Sequence, residues 1–460
     1  MGSPSISKSK FIAGRQCLLR EWLQANDTTK KFTCSDIAVQ GGEVGKLARV
    51  FFTGGVLVKA ESWDFDEAVA ETVRVMADPA VTMIFEAAFQ FQSLRVRVDV
   101  LVRLADGWNI GTTEGKEQDF LASEVKASNS VKPHQIEDIS YQVYVLGKCG
   151  LAVREATIMH LNGKYVYPGG AYDLAKLFVM EQVTPKGDAW VEAELAKQLP
   201  VIGQPLPPVI AAGKHCKYPY PCEFWDKCHP AAAAAFSAPA PNINYAVEAM
   251  IAKLQWPLYF LDFETVVPAV PLYAGMRPWQ QVLTQYSCHI QEYPGGPISH
   301  QQFLHGDPSD PREPLLISLL AMLGDEGTVL MYSHFERDRV RDLAKAFPQY
   351  ASEITALEYR WFDLLELMRL CFDPSDFGDS LSLKKTIQLV PEISYDGLAI
   401  GNGDLAAAAW RRLITLPDGP EKAEIRENLA AYCAVDTAAM VLILRKLQAA
   451  QDLTDAASAS

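Results

Sequence analysis

Hydrophobic and polar residues alternate along residues 94–103, where a leucine or a valine stands at every second position from Leu94 to Val102. A repeat of two is the period of a β-strand that buries one of its faces. Asp99 stands between two valines of this run. The pattern therefore predicts that its carboxylate projects from the opposite, polar face of the strand.

A second strand is predicted at residues 123–128, beyond a turn at residues 105–107 and a polar loop. Glu124 and Lys126 are two positions apart, so on a strand they share a face. An acid on one strand and Glu-x-Lys on the next would bind a divalent metal with two carboxylates, while the lysine orients water and offsets developing charge. The simpler alternative is a surface ion pair, which contributes little to stability.

The second half of the chain opens with an apolar strand at residues 258–265 that contains two acids, Asp262 and Glu264. Both project from one face of the strand, about 7 Å apart along the chain. A pair so placed can bridge two divalent ions. Acids also occur at strand ends without any metal, and this remains the alternative.

A helix is predicted after the buried strand at residues 328–332, because Val340, Leu343 and Phe347 fall on one stripe at helical spacing. Glu336 falls on the same stripe and therefore faces inward. The alternative is a capping box between Ser333 and Glu336, in which the glutamate only satisfies a backbone amide.

The last helix has an apolar stripe from Ile425 to Leu447, and Asp436 lies in the middle of it. A buried carboxylate without a partner costs several kcal/mol, so a metal ion or another cation is expected to compensate it. Tyr432 comes one helical turn before Asp436 and shares its side.

The 460 residues exceed what one ordinary core accommodates and fit two globular domains. A net charge of −14 argues against binding nucleic acid by bulk electrostatics, although bound cations could supply positive charge locally. No apolar run approaches the ~20 residues of a membrane span, and the first residues lack the apolar core of a signal peptide. We therefore expect a cytoplasmic protein with no membrane association.

Three cysteines recur at five-residue gaps, Cys216, Cys222 and Cys228, and an Ala/Pro-rich run follows them. In a cytosolic chain such cysteines favour metal ligation or buried thiols over disulfides. The run marks a boundary because it has little to bury and contains several prolines. The predicted organisation is a first domain at 1–229, a linker at 230–245, a second domain at 246–448 and a flexible tail at 449–460.

The first half resembles the RecB-like, CRISPR-associated nucleases of the PD-(D/E)xK superfamily, whose metal-binding acid and Glu-x-Lys pair match Asp99, Glu124 and Lys126. The resemblance implies a mixed sheet with helices, and it makes Gln142 a candidate catalytic residue. The family spacing is Gln-x-x-x-Tyr, whereas here Tyr144 follows Gln142 by two residues. It also implies an upstream metal ligand, for which Glu43 is the candidate.

Nucleases of this group commonly hold a 4Fe-4S cluster with one cysteine near the N-terminus and three after the catalytic core. Cys17, Cys216, Cys222 and Cys228 fit that layout. Four thiolates are what such a cluster needs. A zinc site that uses His215 or His229, and plain structural thiols, are the alternatives.

The second half resembles the DnaQ-like exonucleases with the DEDD signature, in the branch that carries a tyrosine. The resemblance implies an RNase H-like α/β domain with Asp262, Glu264, Glu336 and Asp436 as metal ligands and Tyr432 orienting the attacking water. That superfamily usually has aspartate where Glu336 stands, and Asp338 and Asp363 are the other acids near that position.

Together these patterns predict an α/β protein that acts as a metal-dependent nuclease on DNA, with Mg²⁺ or Mn²⁺ in two sites and an exonucleolytic action. RNA as substrate stays open. The rival hypotheses are a nucleic-acid-binding scaffold in which one or both sites are inactive, and a protein-interaction module.

Overall fold

The computed structural model describes residues 5–27, 36–60, 63–103, 119–229 and 238–458. The predicted turn at 105–107 and residues 230–237 of the predicted linker lie outside these ranges. The chain divides into two compact units, of which the first is Met1–Ala233 with Ala269–Trp279 and the second is Ala234–Pro268 with Gln280–Ser460. Segment 269–279, which the sequence pattern assigned to the second domain, thus belongs to the first unit.

The first unit has a mixed sheet with the strand order β2-β3-β4-β5-β6-β7, and β1 pairs in parallel with β4. Its strands are β1 (Ile6–Ser7), β2 (Val56–Leu57), β3 (Met83–Phe91), β4 (Leu94–Arg103), β5 (Asp119–Lys126), β6 (Ala152–Leu161) and β7 (Phe178–Val183). Its helices are α1 (Lys8–Gln16), α2 (Leu18–Asn26), α3 (Asp36–Phe51), α4 (Phe65–Met76), α5 (Pro133–Lys148), α6 (Leu174–Leu177), α7 (Asp188–Ile202) and α8 (Trp225–Cys228).

The alternation along β4 is confirmed from Leu94 to Val100, where every second residue is buried and the residues between them are partly exposed. It breaks at the end of the strand, where Leu101 is buried and Val102 is partly exposed. β4 runs antiparallel to β5, with Val100 opposite Ser123. This register brings Asp99 next to Glu124. Helix α5 covers this part of the sheet and buries an apolar stripe that includes Ile139 and Leu146.

The second unit has a five-stranded mixed sheet in the order β10-β9-β8-β11-β12, antiparallel from β10 to β8 and parallel from β8 to β12. Its strands are β8 (Leu258–Val266), β9 (Val282–Gln291), β10 (Ile298–Leu304), β11 (Thr328–Met331) and β12 (Trp361–Asp363). Its helices are α9 (Tyr245–Ile251), α10 (Arg312–Leu323), α11 (Phe335–Ala346), α12 (Ala351–Leu357), α13 (Leu364–Cys371), α14 (Leu383–Thr386), α15 (Gly403–Leu413) and α16 (Pro420–Ser458).

Strand β8 is the central strand of this sheet, and α16 packs across β8 and β9. Helix α16 continues to Ser458, so residues 449–458 are helical rather than the flexible tail predicted from sequence. Within the described residues, the stretch 420–453 of α16 is the one helix long and apolar enough to cross a membrane, with 56% of its most apolar window buried in the protein. A core helix of a soluble protein meets the same criteria.

Candidate metal centres

The first candidate centre lies where β4 and β5 pair. One oxygen of Asp99, Oδ2, accepts a hydrogen bond from the backbone N–H of Val125 at 2.8 Å. The other, Oδ1, lies 3.1 Å from the Lys8 ammonium, which also lies 2.8 and 3.0 Å from the two oxygens of Glu124. The two acids therefore share the Lys8 ammonium in this structure. The divalent metal that the strand pattern predicted between them stays a prediction.

Lys126 and Gln142 complete this centre from β5 and α5. The Lys126 ammonium lies 2.7 Å from Glu124 Oε1 and 2.6 Å from Asp138 Oδ2. The Gln142 amide donates to Glu124 Oε2 at 2.8 Å and to Asp138 Oδ1 at 3.3 Å. Four of the five residues predicted for this centre, Asp99, Glu124, Lys126 and Gln142, are thus brought together, and Lys8 and Asp138 join them.

The two carboxyl groups of the centre differ in the direction of their pKa shifts. Burial, together with the charge of Glu124, raises the pKa of Asp99 to about 7, against the opposing effect of Lys8 and Lys126. Burial acts in the same direction on Glu124, but Lys126 and Lys8 outweigh it and hold the pKa of that carboxyl well below its usual range. Burial therefore opposes ionisation of both acids, and only for Glu124 do the neighbouring ammonium groups outweigh it.

Glu43 and Glu86 differ in their relation to Asp99. Glu43 is exposed on α3, and it is not among the residues that line the cavity of about 240 Å³ beside Asp99. Glu86 does line it, because the pairing of β3 with β4 skips Glu86 and leaves it opposite Asp99. Its φ of 58° is uncommon for a residue with a side chain. The sequence feature that could have indicated Glu86 is that it is the single acid in the largely apolar run 83–91.

No tyrosine of α5 points at Glu124. The Tyr141 hydroxyl donates to the carbonyl of Ile6 at 2.6 Å, and its ring stacks on Phe11. The Tyr144 hydroxyl lies 3.3 Å from Glu192. The changed Gln–Tyr spacing therefore gives both tyrosines of α5 structural contacts.

The four cysteines of the predicted cluster line one small cavity in the first unit, of about 10 Å³. Cys17 lies between α1 and α2, and the others lie in the cysteine loop, by which we mean residues 213–229. Burial, with Cys216 and Cys17 nearby, raises the pKa of Cys228. Gln16 ties the loop to α1 by donating to the carbonyls of His215 and Tyr220 at 2.6 and 2.8 Å.

Glu21, on α2, is fully buried, and neither of its carboxyl oxygens has a hydrogen-bond partner. Burial raises its pKa to about 8, from 4.5 for an unperturbed glutamate. The folded protein thus keeps a proton that the unfolded chain releases, so this group favours folding below pH 4.5 and that contribution is lost as the pH rises to about 8.

We expect Glu21→Gln to raise the unfolding free energy at pH 7.5 by ~1–3 kcal/mol, because an amide carries no charge to bury. The gain should shrink at pH 5, because the unfolded chain's Glu21 is itself partly protonated there and folding takes up less of a proton. Urea unfolding at both pH values measures it, with Glu155→Gln, an exposed change on β6, as control. A gain of equal size at the two pH values would contradict the assignment.

The second candidate centre joins β8 to α16. Asp262, Glu264 and Cys433 form a group whose potential ligand atoms all lie within 4.8 Å of one another. The Cys433 thiol donates to Asp262 Oδ2 at 3.7 Å. Asp436, only 7% exposed, lies on the same buried stripe of α16 and accepts a hydrogen bond from the Tyr395 hydroxyl.

The acids of this centre repel one another. Burial, followed by the charges of Asp436, Glu336 and Glu264, raises the pKa of Asp262 well above its usual range. Burial and Asp436 raise the pKa of Glu264 to about 8. The pKa of Asp436 itself is raised to about 6 by burial, although Tyr395 and Lys384 oppose the shift.

Glu336 belongs to this cluster from the first turn of α11. It is 4% exposed, and its Oε2 has no hydrogen-bond partner. Burial raises its pKa to about 8, with Asp363 and Asp436 adding to the shift, while backbone N–H groups at Glu336 and Ser333 oppose it. The inward orientation is confirmed, whereas a capping box between Ser333 and Glu336 is not formed, because α11 has His334 as its N-cap residue without a side-chain capping hydrogen bond.

The two other acids near Glu336 have different surroundings. Asp363 accepts from the backbone N–H groups of Leu365 and Glu366 at the start of α13. Asp338 lies 3.4 Å from Arg341 on the outer side of α11. Of the two, only Asp363 contributes to the charge around Glu336.

Lys384 and Tyr395 were not predicted as parts of this centre. The Lys384 ammonium lies 5.6 Å from the centre of the Tyr432 ring and 5.7 Å from that of Tyr395. The two rings are 6.0 Å apart. Burial and the charge of Glu264 raise the pKa of Tyr432, so its hydroxyl stays protonated. Lys384 lies in the polar segment 380–385, whose sequence indicates no particular role for any one residue.

Residues 259–382 match a family model described as "Domain of unknown function (DUF2779)". The match includes Asp262, Glu264 and Glu336 and ends before Lys384, Tyr395 and Asp436. The chain is 23% identical over 221 residues to the uncharacterized protein MG366 of Mycoplasma genitalium, and 24% identical over 212 residues to its homolog in Mycoplasma pneumoniae.

These alignments cover 43% and 42% of this chain and 32% of each relative. The chain thus spans about a third of the length of these curated relatives. The fold and the sites define an α/β protein of two units, each with a cluster of buried carboxyl groups beside a lysine.

Proposed function

We propose that this protein is a metal-dependent nuclease that hydrolyses phosphodiester bonds of DNA, with exonucleolytic action and one candidate site in each unit. The observation that supports it best is the cluster of Asp262, Glu264, Glu336 and Asp436: burial raises the pKa of all four, and neighbouring acids add to the shift for the first three. Such a cluster ionises readily only when cations lie between its members.

The finer fold proposals rest on where the strands place the acids. In the second unit, an antiparallel meander and two parallel strands flank β8, so an RNase H-like, DnaQ-type domain would carry its first two acids on the central strand. In the first unit, β4 and β5 present Asp99 and Glu-x-Lys on neighbouring antiparallel strands, as a PD-(D/E)xK nuclease requires.

The donor sets fit a hard divalent cation, because carboxylate oxygens are the ligands that Mg²⁺ and Mn²⁺ prefer. Asp262, Glu264, Glu336 and Asp436 would hold it in the second unit, and Asp99 with Glu124 in the first, where Lys8 must yield part of its contact. Bound metal would lower the pKa of water and stabilise charge on the phosphate.

The chain's own residues contribute positioning and positive charge. Lys126 remains an ammonium because Asp138 and Glu124 raise its pKa against the effect of burial, so it can offset charge that develops on a phosphate. Gln142 holds Glu124 in place from α5. In the second unit the Tyr432 hydroxyl would orient water, with Lys384 near both tyrosine rings.

For the cysteines we propose a 4Fe-4S cluster that joins α1 and α2 to the cysteine loop. Thiolates bound to one zinc ion lie about 4 Å apart, since each Zn–S bond is about 2.3 Å. Among the described residues, the one group of three potential ligands within 4.8 Å of one another is that around Asp262. The four cysteine sulfurs do not form such a group and line one cavity together, and four thiolates are the ligand set of a 4Fe-4S cluster.

Anaerobically purified protein should therefore be coloured and contain about four irons per chain. Cys222→Ser should lose colour and iron, whereas Cys149→Ser, at a cysteine outside the cavity, should keep both. Absorbance and metal analysis measure this. A colourless protein with one zinc per chain would instead establish the zinc alternative.

The test of the function is the fate of end-labelled single- and double-stranded DNA and RNA with Mg²⁺, Mn²⁺ or EDTA. We expect shortening of DNA that depends on the metal. A scaffold, the rival class, would bind the strands and leave their length unchanged under all three conditions.

A further inference from the structure

A cavity of about 460 Å³ opens in the first unit between α1, the start of α5 and the cysteine loop. Ile12, Arg15 and Gln16 contribute from α1, Pro133 and His134 from α5, and Lys214, Tyr218 and Pro219 from the loop. Its volume lies in the range of ordinary ligand sites, about 300–1,000 Å³. None of the residues assigned to the two candidate centres lines it.

The lining combines aromatic surface with positive charge. Tyr218 is 61% exposed, which is high for so large a ring at the rim of a cavity. Lys214 forms no ion pair within the described part of the chain, and Arg15 stands beside it with Glu137 and Glu194 as partners. Glu137 also lines the cavity and pairs with Arg15, so the positive charge left for a ligand is that of Lys214. Together with the exposed ring of Tyr218, this lysine suits an anionic ligand with a flat ring.

The cavity adjoins the first candidate centre. The Tyr220 hydroxyl lies 2.9 Å from His134 Nε2, and the other ring nitrogen of His134, Nδ1, is buried without a hydrogen-bond partner. His134 precedes Asp138 by one turn of α5, and Asp138 holds Lys126. A ligand against His134 would thus lie one turn of α5 from Asp138, the residue that binds the Lys126 ammonium.

We propose that this cavity holds a nucleotide of single-stranded DNA, with its base stacked on Tyr218 and its phosphate beside Lys214. The inference rests on the proposed nuclease function and names the form of the substrate. A base offers a face for stacking only when it is unpaired, so a duplex end would have to open before it enters.

A binding measurement without metal tests this inference independently of catalysis. Fluorescence anisotropy of a labelled single-stranded DNA, measured in EDTA with the full-length protein, should show Tyr218→Ala binding about tenfold or more weakly, since one stacked base contributes ~1–3 kcal/mol. Tyr218→Phe should bind like the wild type because it keeps the ring. Tyr359→Ala, at a tyrosine 93% exposed in the second unit, is the matched control.

Further measurements test the chemical identity of the ligand. Lys214→Ala should reduce the slope of log K against log[salt] by about one, because one phosphate contact is lost. Blunt duplex DNA should bind Tyr218→Ala and wild type alike, and the same loss with single-stranded RNA as with DNA would support stacking that ignores the sugar. Equal weakening for duplex and single strand would overturn the proposal.

The inference and the proposed function fail differently. If metal-dependent cleavage occurs but Tyr218→Ala leaves single-strand binding and KM unchanged, the cavity is not the nucleotide site and the nuclease stands. If no metal yields product but Tyr218→Ala still weakens binding, the nucleotide site stands without the nuclease. Equal iron content in wild type and variants excludes damage to the cysteine cluster as the cause.

Discussion

Asp262→Asn should abolish the metal-dependent shortening of DNA by the second unit, with a loss of about a hundredfold or more in rate. Asp262 lies on the central strand of its sheet, and its potential ligand atom lies within 4.8 Å of those of Glu264 and Cys433. The amide keeps the shape of the side chain but removes the charge that would hold a cation.

The comparison is best made in a chain that already carries Lys126→Ala, so that shortening by the first unit does not hide the loss. End-labelled single-stranded DNA with Mg²⁺ or Mn²⁺ reports the rate, and Asp325→Asn, an exposed change in the same unit, is the control. Activity equal to that of Lys126→Ala alone would show that Asp262 takes no part in catalysis.

The same substitution should act on stability in the opposite direction when no metal is present. Asp262 is surrounded by Asp436, Glu336 and Glu264, and its raised pKa shows that ionising it there is unfavourable. Removing one acid relieves this repulsion. Lost activity together with unchanged or improved folding distinguishes a functional acid from a structural one.

Local periodicity predicted the strands and helices that carry the acids, because burial of one face imposes a repeat of two or 3.6 on the chain. That is why Asp99, Glu336 and Asp436 could be placed on their faces in advance. Antiparallel pairing of β4 with β5 then joined Asp99 to Glu124, which lies 25 positions further along the sequence.

Contacts between segments far apart in the sequence could not be predicted from hydrophobic periodicity. Lys8 reaches Asp99 across 91 positions because the two-residue strand β1 pairs with β4. Tyr395 reaches Asp436 from a stretch without helical or strand periodicity. Segment 269–279 joins the first unit partly through Trp279, whose indole donates to the carbonyl of Ala127. Such pairings are set by tertiary packing, and no local pattern encodes them.

Lys126→Ala should lower metal-dependent cleavage by the first unit about a hundredfold or more, because it removes a fixed positive charge aimed at the site. The Lys126 ammonium lies 2.7 Å from Glu124 and 2.6 Å from Asp138, so its loss also leaves Asp138 without its ion pair. Lys126→Arg keeps the charge but not the compact shape, and we expect it to restore folding without restoring the rate.

The measurement uses a chain that carries Asp262→Asn, in which cleavage by the second unit is removed. Lys148→Ala is the control, since Lys148 lies on α5 near the surface and pairs with Glu192 at 3.2 Å. Lys8 also contacts Glu124, so the Glu124 carboxylate keeps one positively charged partner in the Lys126→Ala variant. Cleavage unchanged by Lys126→Ala, in protein that keeps its thermal stability, would remove the first unit from the proposed nuclease.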